Sequence, residues 1–131
     1  MAAVRIRLTD TDFLNLAEVE ILQRSTGINL ALTGTATQSS IYNGNTGAEK
    51  AIDGDTVSGY PVSLTHTRRE FGAWWQLELL QPADVETIRV YNRDGYGTRL
   101  EDAVVEALAA DGSILWSDVI TGADNGSIHS F

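Results

Sequence analysis

His66, Arg93 and Arg99 are the residues whose type and setting could do chemistry. His66 lies in the polar stretch SLTHTRRE, and the two arginines bracket the glycine-rich stretch RDGYGTR. A guanidinium is a rigid planar fork of donors, suited to ring hydroxyls and a ring oxygen. A histidine adds one more directed hydrogen bond. The same spacing also describes three surface residues, with the arginines paired to Asp94 or Glu101. Asp53 and Asp55, in AIDGDT, form a second candidate group. Carboxylates beside a glycine turn suit Ca²⁺, but EF-hand spacing is absent. A turn capped by aspartates explains them as well. There is no GxSxG elbow, HExxH, P-loop or GxGxxG. His66 and His129 stand far apart, in no metal-ligand spacing. Glu101 and Asp102 are adjacent and point apart. Nothing in these residues recommends catalysis.

The elements that must hold such residues belong to a small domain. The chain has 131 residues, with 9 Lys and Arg against 18 Asp and Glu, for a net charge of −9. That length suits one domain, which can bury roughly two-thirds of its unfolded surface. The acidic balance argues against nucleic acid, whose phosphates need a basic footprint. It argues against insertion at an anionic membrane for the same reason, and leaves cations and neutral sugars open. There is no cysteine, which removes disulfides and thiol chemistry. No apolar run approaches the ~20 residues of a membrane span. The first residues, MAAVRIRLTDTDF, lack the apolar core of a signal peptide.

Glycines scattered among short apolar segments are the texture of an all-β domain. Val4 to Leu8 alternates apolar and polar, as a half-buried strand does. Ala17, Val19 and Ile21 alternate with Glu18 and Glu20. Leu14, Ala17 and Ile21 also fit a helical stripe, and the alternation favours strand. Thr33 to Ser40 suits an exposed or edge strand. Asn43 to Ser63 carries six Gly and Asp turn formers without periodicity and reads as a long, potentially functional loop. Trp74 to Leu79 and Thr87 to Tyr91 read as strands. Val104 to Ala109 and Ile114 to Trp116 flank Asp111-Gly112, a hairpin signal. Gly122 to Ser130 is polar and reads as a tail. The sum is a β-sandwich or barrel of about eight short strands.

Three segments, read together, carry a resemblance: NLAL…ATQSS from Asn29, AIDGD from Ala51, and WWQLEL from Trp74. In this order they resemble the discoidin, or coagulation factor 5/8 type C, family, which implies a discoidin-like β-sandwich of the jelly-roll type. Within it the chain is most similar to the F-type lectins, the fucose-binding branch. Their motif is His, 26 residues, then Arg-X-Asp-X4-Arg/Lys. Here 26 residues also separate His66 from Arg93, but the X before Asp94 is missing, and Asp-X4-Arg survives as Asp94 to Arg99. The resemblance implies that His66, Arg93 and Arg99 hydrogen-bond the sugar and that Asp94 orients the basic residues. Relatives pack adjacent cysteines against the sugar ring. Tyr96 takes that place here, as an apolar plate or as an ordinary exposed turn residue, and Tyr60 is a second candidate for the contact.

The resemblance also implies a structural Ca²⁺ beside the sugar. Asp53 matches by side chain, with Lys50, Asp55 and Ser63 offering further oxygens. The family's last-strand pattern, LxLCEVEV, occurs here as Leu14 to Ile21, with Ala17 supplying a carbonyl and Glu18 a carboxylate. Its position at the N-terminus makes residues 1–22 resemble the family's closing strands. The expectation is a single circularly permuted domain over 1–131 rather than a piece of a tandem array. The implied function is a non-enzymatic, Ca²⁺-dependent lectin for L-fucose or fucosylated glycans, extracellular or on a cell or virion surface, with a homo-oligomer or tandem array as possible assemblies. The alternatives are a galactose or uronate module, a protein- or phospholipid-binding discoidin domain, or a structural adaptor. Asn43-Gly-Asn-Thr-Gly lacks the Trp, Phe and Leu that membrane insertion needs.

Overall fold

The computed structural model describes residues 1–131. Strand β1 (Ala3–Arg7) lies at the centre of a five-stranded antiparallel sheet, between β8 (Trp74–Glu78) and β10 (Val104–Leu108). Strands β5 (Thr35–Gln38) and β11 (Ile114–Val119) form its edges. Facing it is a three-stranded antiparallel sheet of β12 (Ile128–Ser130), β9 (Val85–Tyr91) and β4 (Glu18–Gln23). Two short ladders complete the chain: β2 (Thr11–Asp12) with β7 (Glu70–Phe71), and β3 (Asn15–Leu16) with β6 (Thr65–His66). The only helical pieces are three short 3₁₀ turns. This is an all-β, discoidin-like sandwich, and no helix is long and apolar enough to cross a membrane.

Period-two burial builds the two layers. Val4, Ile6, Trp75, Leu77 and Val105 project inward from one sheet, and Val19, Ile21, Ile88 and Val90 from the other. Trp75 is the largest fully buried side chain, and its indole N–H donates to the Ala48 carbonyl at 3.0 Å, so its polar edge is satisfied inside the core. On the opposite face of the first sheet, Glu106 is buried beneath Arg5 and Arg7, which donate to it at 2.9 and 3.1 Å. Of the ambiguous Ala17–Ile21 segment, Glu18–Ile21 settles as strand, because it lies in β4, which pairs with β9. Both N-terminal strands, β1 and β4, find their partners within the chain.

The strand count exceeds the sequence expectation, twelve against about eight. Four of the twelve are two-residue strands, too short to show any periodicity. The polar tail read over Gly122–Ser130 contains β12, which pairs with β9 through Ile128–Tyr91, His129–Val90 and Ser130–Arg89. Its side chains are largely uncovered, so no apolar alternation announces it. The Asp111-Gly112 hairpin forms as read, with Gly112 at φ +85°.

Candidate functional site

The β3–β6 ladder places the first functional side chain. His66 stands opposite Asn15 in that pair and is buried. Gln38 fixes the surrounding backbone, its side-chain amide donating to the carbonyls of Ser40, Thr46 and His66. The ring Nδ1 lies 2.7 Å from the Thr67 carbonyl. A carbonyl only accepts, so Nδ1 carries the proton. Burial, and then the charges of Arg93 and Arg99, hold the imidazole below its ordinary pKa of 6.5, against the raising effect of the Thr67 bond. The ring is therefore neutral at pH 7, and Nε2 is a bare acceptor.

The loop after β9 supplies the donors. Asn92 is 5% exposed and holds the loop at both ends. Its Nδ2 donates to the carbonyls of Gly97 and Asp124, each at 2.8 Å, and its Oδ1 accepts from the Arg93 amide at 2.8 Å. Gly97 is pressed onto the Asp124–Asn125 backbone so closely that a Cβ there would lie 2.3 Å from the Asp124 carbonyl carbon. Between these anchors Tyr96 adopts φ 53°, ψ 28°, a left-handed conformation uncommon outside glycine. It closes a tight turn, with the Arg99 amide bonding back to the Tyr96 carbonyl at 3.1 Å.

These constraints bring His66, Arg93, Arg99, Tyr60 and Tyr96 around one cavity of about 200 Å³. The Arg93 guanidinium lies between the Tyr60 and Tyr96 rings, 5.2 and 4.9 Å from their centroids. Arg99 lies between Phe13 and Tyr96, at 4.7 and 4.2 Å. Arg99 also donates to Asn15 Oδ1 at 3.1 Å and approaches Asp12 at 3.8 Å. Arg93 has no carboxylate partner, and burial together with the nearby Arg99 lowers its pKa from the ordinary guanidinium value. The site thus combines cationic donors, one neutral acceptor and aromatic walls.

Two lining residues escaped the sequence reading: Phe13, 5.1 Å from the His66 ring, and Tyr42, 4.2 Å from it. Both lie in irregular segments, and only their aromatic character beside the motif-bearing stretches marked them. Asp94 is exposed and turns away, lining a neighbouring cavity instead. The orienting role expected of it falls to Asp12 and Asn15, which act on Arg99. Neither arginine pairs with Asp94 or Glu101. Glu101 instead accepts from the amides of Gly122 and Ala123.

The other candidate group forms where the 50–63 loop folds over β4. Glu18 lies on the face of β4 away from the core, yet it is 1% exposed. Its Oε2 accepts from the Gly54 amide at 2.7 Å, and its Oε1 has no partner. Burial foremost, with the neighbouring Asp53 charge adding, pushes its pKa up to about 8. Nearby, the Ser63 hydroxyl lies 2.6 Å from Asp53 Oδ2, 3.2 Å from the Lys50 carbonyl and 3.4 Å from that of Asp55. Ala17 is buried next to Glu18. No three His, Cys, Asp or Glu side chains cluster there. The donor set is two carboxylates plus carbonyl and hydroxyl oxygens. A partnerless buried carboxylate oxygen facing such a set fits a hard cation such as Ca²⁺.

Comparison with known proteins gives the lineage. The profile of the F5/8 type C family, described as the NedA-like galactose-binding domain, matches residues 50–130. Fucolectin of Anguilla anguilla is 36% identical over 93 residues, covering 64% of this chain and 59% of that protein. Fucolectin-6 of Anguilla japonica is 37% identical over 81 residues, 57% of this chain and 44% of that one. A pentraxin fusion protein of Xenopus laevis is 33% identical over 66 residues, 50% of this chain and 16% of its own length. No solved structure gives a significant match. This chain therefore spans only part of the length of these relatives. The family profile covers more than half of the chain, and the sandwich is the one that family implies: the chain belongs to the F5/8 type C family, as a NedA-like galactose-binding domain.

Proposed function

We propose that this domain is a non-enzymatic lectin module that binds L-fucose, alone or at the end of a glycan, in the His66–Arg93–Arg99 cavity. The observation that carries the reading is the pairing of a bare His66 Nε2 with the unpaired Arg93 guanidinium. A hydroxyl satisfies both, accepting from the arginine while donating to the histidine. A carboxylate oxygen meets the arginine but faces the lone pair of Nε2, so a neutral polyol is favoured over an acid. The rings of Tyr60, Tyr96 and Phe13 supply surfaces for the apolar edge of a deoxysugar. The fucolectin names of the similar proteins point to the same sugar.

A structural Ca²⁺ belongs to the same proposal. Glu18 and Asp53 would hold it by carboxylate, with oxygens from Lys50, Asp55, Ser63 and Ala17. Its chemistry would be to neutralise two carboxylates and tie the 50–63 loop, which carries Tyr60, to β4. We also assign the domain to the extracellular space or a surface assembly, folding as one unit over 1–131, with residues 1–22 supplying the family's closing strands.

Calorimetry with methyl α-L-fucoside at two salt concentrations tests the reading. Arg93→Ala removes a charged donor, for a loss of about 1.5–3 kcal/mol, or roughly tenfold or more in affinity. Full binding by Arg93→Ala overturns the assignment. Wild-type affinity should be insensitive to moderate salt. A steep fall with salt would instead favour a uronate or sulfated sugar, the second reading left open by the uncompensated Arg93 charge.

A further inference from the structure

One sheet has five strands and the other three, and on one side the larger overhangs the smaller. There β11 is the edge of one layer and β12 the edge of the other, and the Trp116 and Phe131 rings meet across the gap with centroids 5.8 Å apart. Trp116 and Asp118 stand opposite the buried Ala107 and Val105 in the β10–β11 ladder, so they share the core-facing side of the sheet. Yet all six residues of β11 are exposed, four of them Ile, Leu, Trp and Val. Ile88, Ala107, Leu115, Trp116 and Phe131 wall a cavity of about 370 Å³ in the gap. Phe131 also lines a second one of about 460 Å³, bordered by Asp118 and His129, so the opening runs along both edges.

The two edges differ. The β10–β11 register shifts between Ala107 and Leu108, which leaves Leu115 without a partner, and the Asp118 carboxylate caps the Val119 amide at 2.7 Å. Both features blunt β11 against a further strand. The edge of β12 is open. Phe131 exchanges both backbone bonds with Ile88, donating at 2.9 Å and accepting at 3.1 Å. By the alternation of an antiparallel ladder, His129 and Val90 form the next bonded pair, and Ile128 and Ser130 direct N–H and C=O away from β9.

We propose that this opening takes an extended segment of a partner polypeptide, which adds beside β12 as a fourth strand of the smaller sheet. Backbone bonds to Ile128 and Ser130 set its register, and alternate apolar side chains fill the gap against Leu115, Trp116 and Phe131. Charge fixes the partner's chemistry. Arg24, at the rim, is held by Asp84 at 3.2 Å, whereas Glu86 and Asp118 make no ion pair. With the net charge of −9, these carboxylates attract a segment bearing Lys or Arg and oppose an acidic one, a second copy of this chain included. The partner segment therefore alternates apolar residues with basic ones. The opening shares no lining residue with the His66–Arg93–Arg99 cavity, so both can be filled at once, whatever ligand that cavity takes.

The test is calorimetry of the full chain with four acetylated, amidated octapeptides in which Val, Ile, Leu or Phe alternates with Lys, and with twins carrying Glu for Lys. At least one Lys peptide should bind tenfold or more tighter than its Glu twin. Two N-methylated forms of that peptide, each blocked along one backbone edge, should separate: one loses affinity tenfold or more and the other keeps it. Bound peptide should slow hydrogen exchange of the Ile128 and Ser130 amides tenfold or more. Trp116→Ser should abolish binding, and Asp118→Asn should shrink the preference for Lys over Glu, each checked by melting temperature. If Trp116→Ser melts lower, Asp118→Asn and the exchange measurement carry the decision. The proposal is overturned if no Lys peptide binds, if the Glu twins bind as well, or if both N-methylated forms keep full affinity. A concentration-dependent dimer in sedimentation that Trp116→Ser disperses gives the opening to a second copy and overturns it too.

Discussion

Asn92→Ala tests how the site is positioned. Asn92 does not line the His66–Arg93–Arg99 cavity, yet it makes three 2.8 Å bonds, to Gly97 O, Asp124 O and the Arg93 amide. Truncation strands two carbonyls and one amide in a buried setting. At about 0.5–1.5 kcal/mol per bond the loss sums to roughly 1.5–4.5 kcal/mol. For a domain of this size each kcal/mol lowers Tm by about 3–5 °C, so the variant should melt about 5–20 °C lower. The denaturation midpoint should fall with the slope unchanged, since the folded surface is otherwise the same. Sugar affinity should fall as well, measured well below the new Tm, because the loop that sets Arg93, Tyr96 and Arg99 is no longer held at both ends. Differential scanning calorimetry and sugar titration together decide it. A Tm drop under about 2 °C, or full sugar affinity in a destabilised variant, would refute the view that Asn92 builds the site.

Three further outcomes follow from charge. Sugar binding should be level from pH 8 down to about 6.5 and decline only at lower pH, because the folded His66 pKa lies below 6.5 and protonation turns the Nε2 acceptor into a third cationic donor; titrations across pH check this, and a loss already at pH 7.5 contradicts it. Burial alone would raise the Glu106 pKa, but Arg5 and Arg7 outweigh it and hold the group below 4.5. Its stabilising effect is therefore complete above the ordinary carboxylate range and is lost as pH falls through the folded pKa, so Glu106→Gln should flatten the acid limb of Tm against pH. Added Ca²⁺ should raise Tm by mass action and EDTA should reverse it, whereas Asp53→Asn should remove most of the response; a melting curve indifferent to both additions refutes the cation site.

The layers of the fold were legible because burial imposes a period of two on β1, β4, β8, β9 and β10, and alternating residues record it. The two-residue ladders and β12 were not legible, since their pairing is imposed by the sheet beside them. The same distinction runs through the site. The family resemblance pointed to His66, Arg93 and Arg99 through its motif and to Tyr96 and Tyr60 as apolar contacts, and the structure brings all five to one cavity. Phe13 and Tyr42 were missed because each reaches the site from a separate irregular segment. The orienting role of Asp94 rested on the resemblance alone. In the structure Asp94 faces the neighbouring cavity, and no count of intervening residues conveys which side of the chain a side chain occupies.

How the arginines are held bears on the neutral ligand proposed for them. A protein with net charge −9 has carboxylates enough to pair with both guanidiniums, and Asp94 is the immediate neighbour of Arg93. A salt bridge, however, uses the N–H edge of the guanidinium, which is the edge a sugar hydroxyl needs. Stacking uses the face. The Arg93 guanidinium carbon lies over the Tyr60 and Tyr96 rings and that of Arg99 over Phe13 and Tyr96, cation–π contacts of about 0.5–1 kcal/mol each in such partly exposed settings. For Arg93 the whole N–H edge stays free. For Arg99 one nitrogen is fixed by Asn15, which sets its direction without capturing the rest. The left-handed backbone at Tyr96, a strain of order 1–3 kcal/mol, places one ring against both cations at once. Aromatic faces hold the charges, and the hydrogen-bonding edges are left to the ligand.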